Sequence, residues 1–219
     1  SVMKLLLDSG INHAPCLNKK RIPVGLWIVG LGSVLPVLEN SVLIMAGGKG
    51  SRLGALTKDC PKPLLEVGGQ TIIERIIRSA KSEGFNDFLI TINYLGEKIV
   101  EKLGSGNELG VSINYVEEEL PLGTAGSLSL LKTRPISPFI VVNGDIVSDM
   151  CLRSLLRQHE ETGGDATMVV RPHTIQNPYG VVVVKDDKIM AFEEKPLYQS
   201  LINAGIYVLN PSVLDLLVH

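Results

Sequence analysis

Residues 41–53 read SVLIMAGGKGSRL. The run VLIMA is continuously apolar rather than alternating, the pattern of a strand buried on both faces of a parallel sheet. Directly after it come Ala46, Gly47, Gly48, Lys49, Gly50, Ser51 and Arg52. Glycines at a strand end let backbone N–H groups approach phosphate oxygens, and the two cations offset the charge of a triphosphate. The segment therefore reads as a phosphate cradle. On these residues alone the alternative stays open, a tight strand-to-helix turn that merely needs small side chains. Two common nucleotide signatures fail here: GxGxxG counted from Gly48 puts Leu53 at the third glycine, and no GK[ST] follows at Walker spacing.

Downstream the texture alternates between strand and helix. Thr71 with Glu74 three residues on forms a capping box, and Ile72, Ile73, Ile76, Ile77 and Ala80 make one apolar face that ends at Gly84. A strand is expected at 87–93, a short helix at 96–104, strands at 112–116 and 138–143, a helix carrying Leu152, Leu155 and Leu156, and a strand at 166–171. That succession predicts an open, mainly parallel sheet in a three-layer α/β domain. From Tyr179 the pattern turns to hairpins: YGVVVV, the turn 185–187, KIMAFEE, then NAGIYVL. Upstream, residues 2–9 have helical spacing, and two apolar runs flank the polar turn 18–20, so a helix and a β-hairpin precede a boundary near residue 40.

The chain has 219 residues with 45% hydrophobic content, enough for one large core and an appendage. A formal charge of −2 gives no broad field for nucleic acid or an anionic membrane, so any anion site must be local. Cys16, Cys60 and Cys151 are widely spaced and fit neither a disulfide framework nor a metal knuckle, which suggests reduced thiols and a cytoplasmic location. The apolar run 24–38 is shorter than the roughly 20 residues a membrane span needs, and no targeting segment is read. His13, His159, His173 and His219 lack zinc-site spacing, and no GxSxG elbow occurs.

Three further clusters carry chemistry. In Pro61-Lys62-Pro63 the flanking prolines are expected to keep the chain extended and hold one lysine out toward a phosphate, though a solvated lysine fits the same residues. Asn143-Gly144-Asp145 stands at the C-terminal end of strand FIVV, the edge of an open α/β sheet where ligands bind. A lone carboxylate there suits Mg²⁺, or else caps a helix starting near Asp149. Glu193-Glu194-Lys195-Pro196, followed by Asn203-Ala204-Gly205, reads either as a solvated edge or as acceptors, a cation and small residues for a sugar phosphate.

With these residues laid out, positions 42–210 resemble the sugar-1-phosphate nucleotidyltransferase family, particularly its mannose-1-phosphate guanylyltransferase-like branch. LIMAGGKGSRL, PKPLLEVGG, EEELPLGTAGSL, VVNGDI, NPYGVV, EEKP and NAGIYVL occur in the family's order. The resemblance implies a Rossmann-like fold with a mixed sheet and transfer of a nucleoside monophosphate, from GTP before other triphosphates, to mannose-1-phosphate or an amino-sugar-1-phosphate. Pyrophosphate would be released. It implies that Ala46, Gly47, Gly48, Gly50, Ser51 and Arg52 cradle the triphosphate, that Lys62 helps hold phosphates, and that Leu122, Gly123 and Thr124 lie against the base. Asp145 would bind Mg²⁺, and Gly180, Glu194, Lys195, Asn203 and Gly205 would line the sugar-phosphate pocket.

The expected partners are thus a nucleoside triphosphate and a sugar-1-phosphate, with no nucleic acid or membrane and with a homo-oligomer left open. Two departures qualify the resemblance. The family's second magnesium-binding aspartate lies beyond NAGIYVL, and the sequence stops at His219, which implies an incomplete catalytic set in residues 41–219. Residues 2–29, within the 1–40 appendage, resemble the second half of a CBS motif, so the whole reads as an internal piece of a longer regulatory-plus-catalytic protein. A non-catalytic regulator that senses nucleotide sugars is the rival reading.

Overall fold

The computed structural model describes residues 13–28, 32–48, 50, 54, 56–119 and 123–217. The helix expected at 2–9 lies outside them. The hairpin is present: β1 (His13–Leu17) pairs antiparallel with β2 (Pro23–Ile28), and β3 (Gly32–Val34) adds a third strand that the sequence reading did not anticipate. The Asn18 side chain shapes the turn, its Oδ1 accepting from the backbone N–H of Lys20 and Ile22.

The chain divides into two compact units, Ser1–Thr167 with Tyr207–His219, and Met168–Ile206. The first is built on β4 (Val42–Met45), β7 (Asp87–Ile92), β8 (Ser112–Glu117) and β9 (Phe139–Asn143), with the short pair β5 (Glu66–Val67) and β6 (Gln70–Thr71) between β4 and β7 in sequence. β4 pairs in parallel with β7 on one side and β9 on the other, and β7 with β8. With β10 (Ala166–Gln176) and β13 (Leu197–Leu209) the six-stranded order is β10-β13-β9-β4-β7-β8. Val42, Leu43 and Ile44 are all 0% exposed, which is why the central strand reads as an unbroken apolar run: both of its faces are covered. On one of them Leu43, Phe139 and Val141 pack with Leu128 and Leu214.

Helix α1 (Ile72–Ser82) starts at the expected capping box. The Thr71 hydroxyl accepts from the Glu74 N–H, and the Glu74 carboxylate accepts from the Thr71 N–H and hydroxyl. Burial pushes the Glu74 carboxyl up, but the Thr71 hydrogen bonds and Lys102 outweigh it and hold the group below its ordinary range. All five apolar residues of the predicted face are buried. Helix α2 (Gly96–Leu103) follows β7, and α3 (Leu152–Thr162) follows β9.

Buried His159 ties α3 to two strand ends: Nδ1 lies 2.8 Å from Thr167 Oγ1 and Nε2 3.1 Å from Asn210 Oδ1. Asn210 Nδ2 donates to Gly164 O, so its oxygen is the free acceptor; this puts the imidazole proton on Nε2 and leaves Nδ1 to accept from Thr167. In the second unit β11 (Gly180–Lys185) and β12 (Lys188–Glu194) form an antiparallel hairpin with an irregular register at Val183/Val184. Asp186 and Asp187 both take positive φ at its turn, as a two-residue hairpin turn requires.

Candidate active site

Four parallel strands, β9, β4, β7 and β8, end side by side at their carboxyl edge, and the first unit gathers polar side chains there. Ala46, leaving β4, donates its N–H to Thr91 O at 3.0 Å, and Gly144, leaving β9, donates to Met45 O at 2.8 Å. A Cβ at Gly144 would stand 2.8 Å from Met45 O, closer than real side chains come, and 3.3 Å from Pro63 Cγ, a tight contact. Glycine is therefore what lets the turn after β9 lie against the start of the glycine loop and against the Pro61–Pro63 segment. The consequence is an ion pair across 83 residues of sequence: Lys62 Nζ donates to Asp145 Oδ2 at 2.5 Å. Their side chains are 32% and 39% exposed, so the pair is open to a ligand.

Two expectations change here. Lys62–Leu64 is a turn of 3₁₀ helix rather than an extended segment: only Pro61 is extended, and Pro63 sits in the first turn, where its fixed φ suits a helix and its missing N–H costs nothing. Asp145 caps no helix, because α3 begins at Leu152 with Cys151 as its N-cap. Its carboxylate is left to Lys62 and to solvent.

The glycine turn has two walls. A Cβ at Gly47 would stand 3.0 Å from Glu118 Oε1 and 3.3 Å from Asn93 Cβ, whereas one at Gly48 would meet nothing within 4 Å. Gly47 is thus pressed against side chains from the ends of β7 and β8, while Gly48 faces open space. Glu118 is 8% exposed; its backbone N–H donates to Ile92 O, and its carbonyl accepts from Asn93 Nδ2. Lys58 and Asp59, just ahead of Lys62, are held from α2's end of the sheet: Tyr94 Oη donates to Lys58 O at 2.7 Å and Lys98 Nζ to Asp59 O at 2.6 Å.

The structure thus brings together Ala46, Gly47, Gly48, Gly50, Lys62 and Asp145 within the first unit. Ser51, Arg52 and Leu122 lie outside the described residues, as does the Thr124 side chain; Gly123 opens a single helical turn, Gly123–Gly126. Sequence reasoning missed Asn93 and Glu118. Both stand just past strand ends at the carboxyl edge, a position that could have singled them out.

Gly180, Glu194, Lys195, Asn203 and Gly205 belong to the second unit. Gly180 pairs with Glu194 across the hairpin, and a Cβ there would come 3.2 Å from Glu194 Oε2. Lys195 Nζ lies 3.5 Å from Glu194 Oε1, and Lys195 takes a positive φ immediately after β12. Asn203 Oδ1 accepts from the Gly205 N–H at 2.8 Å, and Pro196 O accepts from the Asn177 N–H at 3.0 Å. Among the described residues no group of three or more His, Cys, Asp or Glu side chains could enclose a metal ion. Nor is any helix among them long and apolar enough to cross a membrane.

A parallel sheet with a glycine turn, a lysine and a carboxylate at its carboxyl edge defines an α/β protein whose polar groups gather where open sheets of this kind bind ligands. The family model for Nucleotidyl transferase matches residues 41–219, and the chain belongs to that family. It is 42% identical over 184 residues to a mannose-1-phosphate guanyltransferase of Pichia angusta, a match covering 80% of this chain and 50% of that protein. It is 40% identical over 182 residues to a probable mannose-1-phosphate guanylyltransferase 1 of Oryza sativa subsp. japonica, covering 79% and 50%. The chain therefore spans about half the length of the curated relatives it matches. Among solved structures it resembles a putative glucose-1-phosphate thymidylyltransferase from Bacillus anthracis, with a TM-score of 0.64, 29% identity, and coverage of 80% of this chain and 73% of that one. HddC from Yersinia pseudotuberculosis, at 22% identity and a TM-score of 0.61 over 82% and 80% of the two chains, shares the fold.

Proposed function

We propose that this chain carries the guanylyl-transfer centre of a mannose-1-phosphate guanylyltransferase, joining GTP to mannose-1-phosphate. An oxygen of the sugar phosphate attacks the α-phosphorus, the bond to the bridging oxygen of the β-phosphate breaks, and pyrophosphate leaves with that electron pair. No covalent bond to the protein is formed. The observation that carries the reading is the Lys62–Asp145 pair, held at the carboxyl edge of the sheet against the segment that opens the glycine turn.

Each residue has a role that its chemistry suits. The glycine turn gives backbone N–H groups close access to the triphosphate, and Arg52 and Lys62 neutralise its charge. In a site of this kind positioning and charge neutralisation supply the catalysis. The donor set at Asp145 fits Mg²⁺: a single hard carboxylate, partly exposed, with Lys62 on Oδ2 and no partner at Oδ1 among the described residues. Bound there, Mg²⁺ would share the negative charge of the phosphates. The sugar phosphate is assigned to Lys195 for its charge, Glu194 and Asn203 for its hydroxyls, and Gly180 and Gly205 for their small size.

Guanine is taken as the base because the chain is 42% and 40% identical to relatives named as mannose-1-phosphate guanylyltransferases. Leu122, Gly123 and Thr124 are the residues assigned to the base. The experiment is pyrophosphate release from GTP, ATP, UTP and dTTP, each with Mg²⁺ and a panel of sugar-1-phosphates. Turnover confined to GTP with mannose-1-phosphate is the expected result. Nucleotide binding without pyrophosphate release would favour a sensing regulator instead, and preference for another triphosphate would overturn the assignment to guanine.

A further inference from the structure

One buried hydroxyl beside the glycine turn has no part in the reading above. Thr57 is 3% exposed, and its Oγ1 donates to Gly50 O at 2.9 Å, with Gly54 O at 3.3 Å. Gly50 takes φ +61°, the left-handed region that favours glycine, and a Cβ there would meet Thr57 Cγ2 at 3.0 Å, Thr57 Cβ at 3.2 Å and Lys62 Cβ at 3.4 Å. Thr57 therefore uses both of its branches on one residue: the methyl packs against Gly50 and the hydroxyl holds its carbonyl. The Lys62 stem stands beside them, its Cβ 3.4 Å from where a Gly50 Cβ would be.

We infer that Thr57 is a positioning residue for nucleotide binding: its buried hydroxyl holds the Gly50 carbonyl, and its methyl packs against Gly50 beside the Lys62 stem. The inference rests on the guanylyl-transfer reading for the identity of the ligand. It does not rest on it for the latch itself. A hydroxyl is otherwise a poor choice for a buried position, since it must be satisfied to avoid a penalty, and an isosteric valine would fill the same space. The hydroxyl is justified by the Gly50 carbonyl it satisfies.

Thr57→Val keeps the shape and removes the donor, while Thr57→Ser keeps the donor and removes the methyl. Hydrogen exchange of the backbone amides in residues 46–57 of the full chain, without nucleotide, reads the latch directly. Thr57→Val is expected to accelerate exchange there about tenfold, with helix α1 unchanged; Thr57→Ser is expected to stay within about twofold of the unsubstituted protein. With Mg²⁺ and GTP, Thr57→Val should raise the KM for GTP about tenfold and leave the KM for mannose-1-phosphate unchanged. A residue that only supported folding would instead lower the active fraction and leave both KM values alone. Unchanged exchange and unchanged GTP KM in Thr57→Val overturn the inference, as does a Thr57→Ser variant that behaves like Thr57→Val. If the unsubstituted protein binds no GTP, the guanylyl-transfer reading falls, and the exchange comparison still judges the latch.

Discussion

The two units assemble their charged groups by opposite means. In the first, Lys62 and Asp145 are far apart in sequence and meet because β4 and β9 are neighbours, Gly144 crosses against the strand end, and Pro63 packs beside it. In the second, Glu194 and Lys195 are consecutive, and Gly180 faces Glu194 through the register of a single hairpin. The first arrangement exists only when the sheet is folded. The second needs little more than one turn with the correct backbone. Substitutions in the first unit should therefore disturb geometry as well as chemistry, whereas those in the second should remove a contact and little else.

The largest expected effect is at Asp145. Asp145→Asn keeps the shape of the side chain and removes the charge that pairs with Lys62 and suits Mg²⁺, so turnover should fall by several orders of magnitude, about 10³-fold or more. Stability, read by urea denaturation, should change by no more than about 1 kcal/mol, because the ion pair is partly exposed and screened by water. Near-normal turnover would remove Asp145 from the site.

Gly144→Val separates geometry from charge. Its side chain would collide with Met45 O and Pro63, so the variant should lose about 1–3 kcal/mol of stability by the usual cost of overpacking. Turnover should drop about 100-fold even where the protein is fully folded, the size expected from displacing a catalytic group by about 1 Å. Wild-type stability and turnover would show that the close approach at the strand end does not set the site.

A smaller effect is expected at Arg52. A charge-assisted contact to phosphate contributes roughly 1.5–3 kcal/mol, so Arg52→Ala should weaken the apparent GTP affinity by about 10- to 150-fold, measured by titration with GTP and Mg²⁺. Unchanged affinity would return the glycine-rich segment to the role of a tight turn.

Much of this contrast is legible in the sequence, and unevenly so. The apolar run 42–46, the capping box at Thr71 and the alternation of strands and helices are local patterns, and the parallel sheet and α1 follow from them. The hairpin at 180–194 is equally local. The Lys62–Asp145 pair was not legible as a contact, because no short-range pattern in Pro61-Lys62-Pro63 or Asn143-Gly144-Asp145 says that the two segments touch. The 3₁₀ turn at Lys62 was missed for a related reason: the rule that a residue before proline stays extended is a statistical one, and here the hydrogen bonds Leu64 N–H to Pro61 O and Leu65 N–H to Lys62 O override it. Glu118 and Asn93 were hidden because their place beside Gly47 depends on which strands adjoin β4.

On the proposed function the labour is divided, with the triphosphate handled at Lys62 and the sugar phosphate at Lys195. Steady-state kinetics of Lys62→Ala and Lys195→Ala, varying GTP and mannose-1-phosphate in turn, tests it most directly. Lys62→Ala should lower kcat/KM for GTP about tenfold or more and leave the KM for mannose-1-phosphate within about twofold. Lys195→Ala should do the reverse. Both substitutions acting on the same substrate, or neither acting on either, would contradict the account.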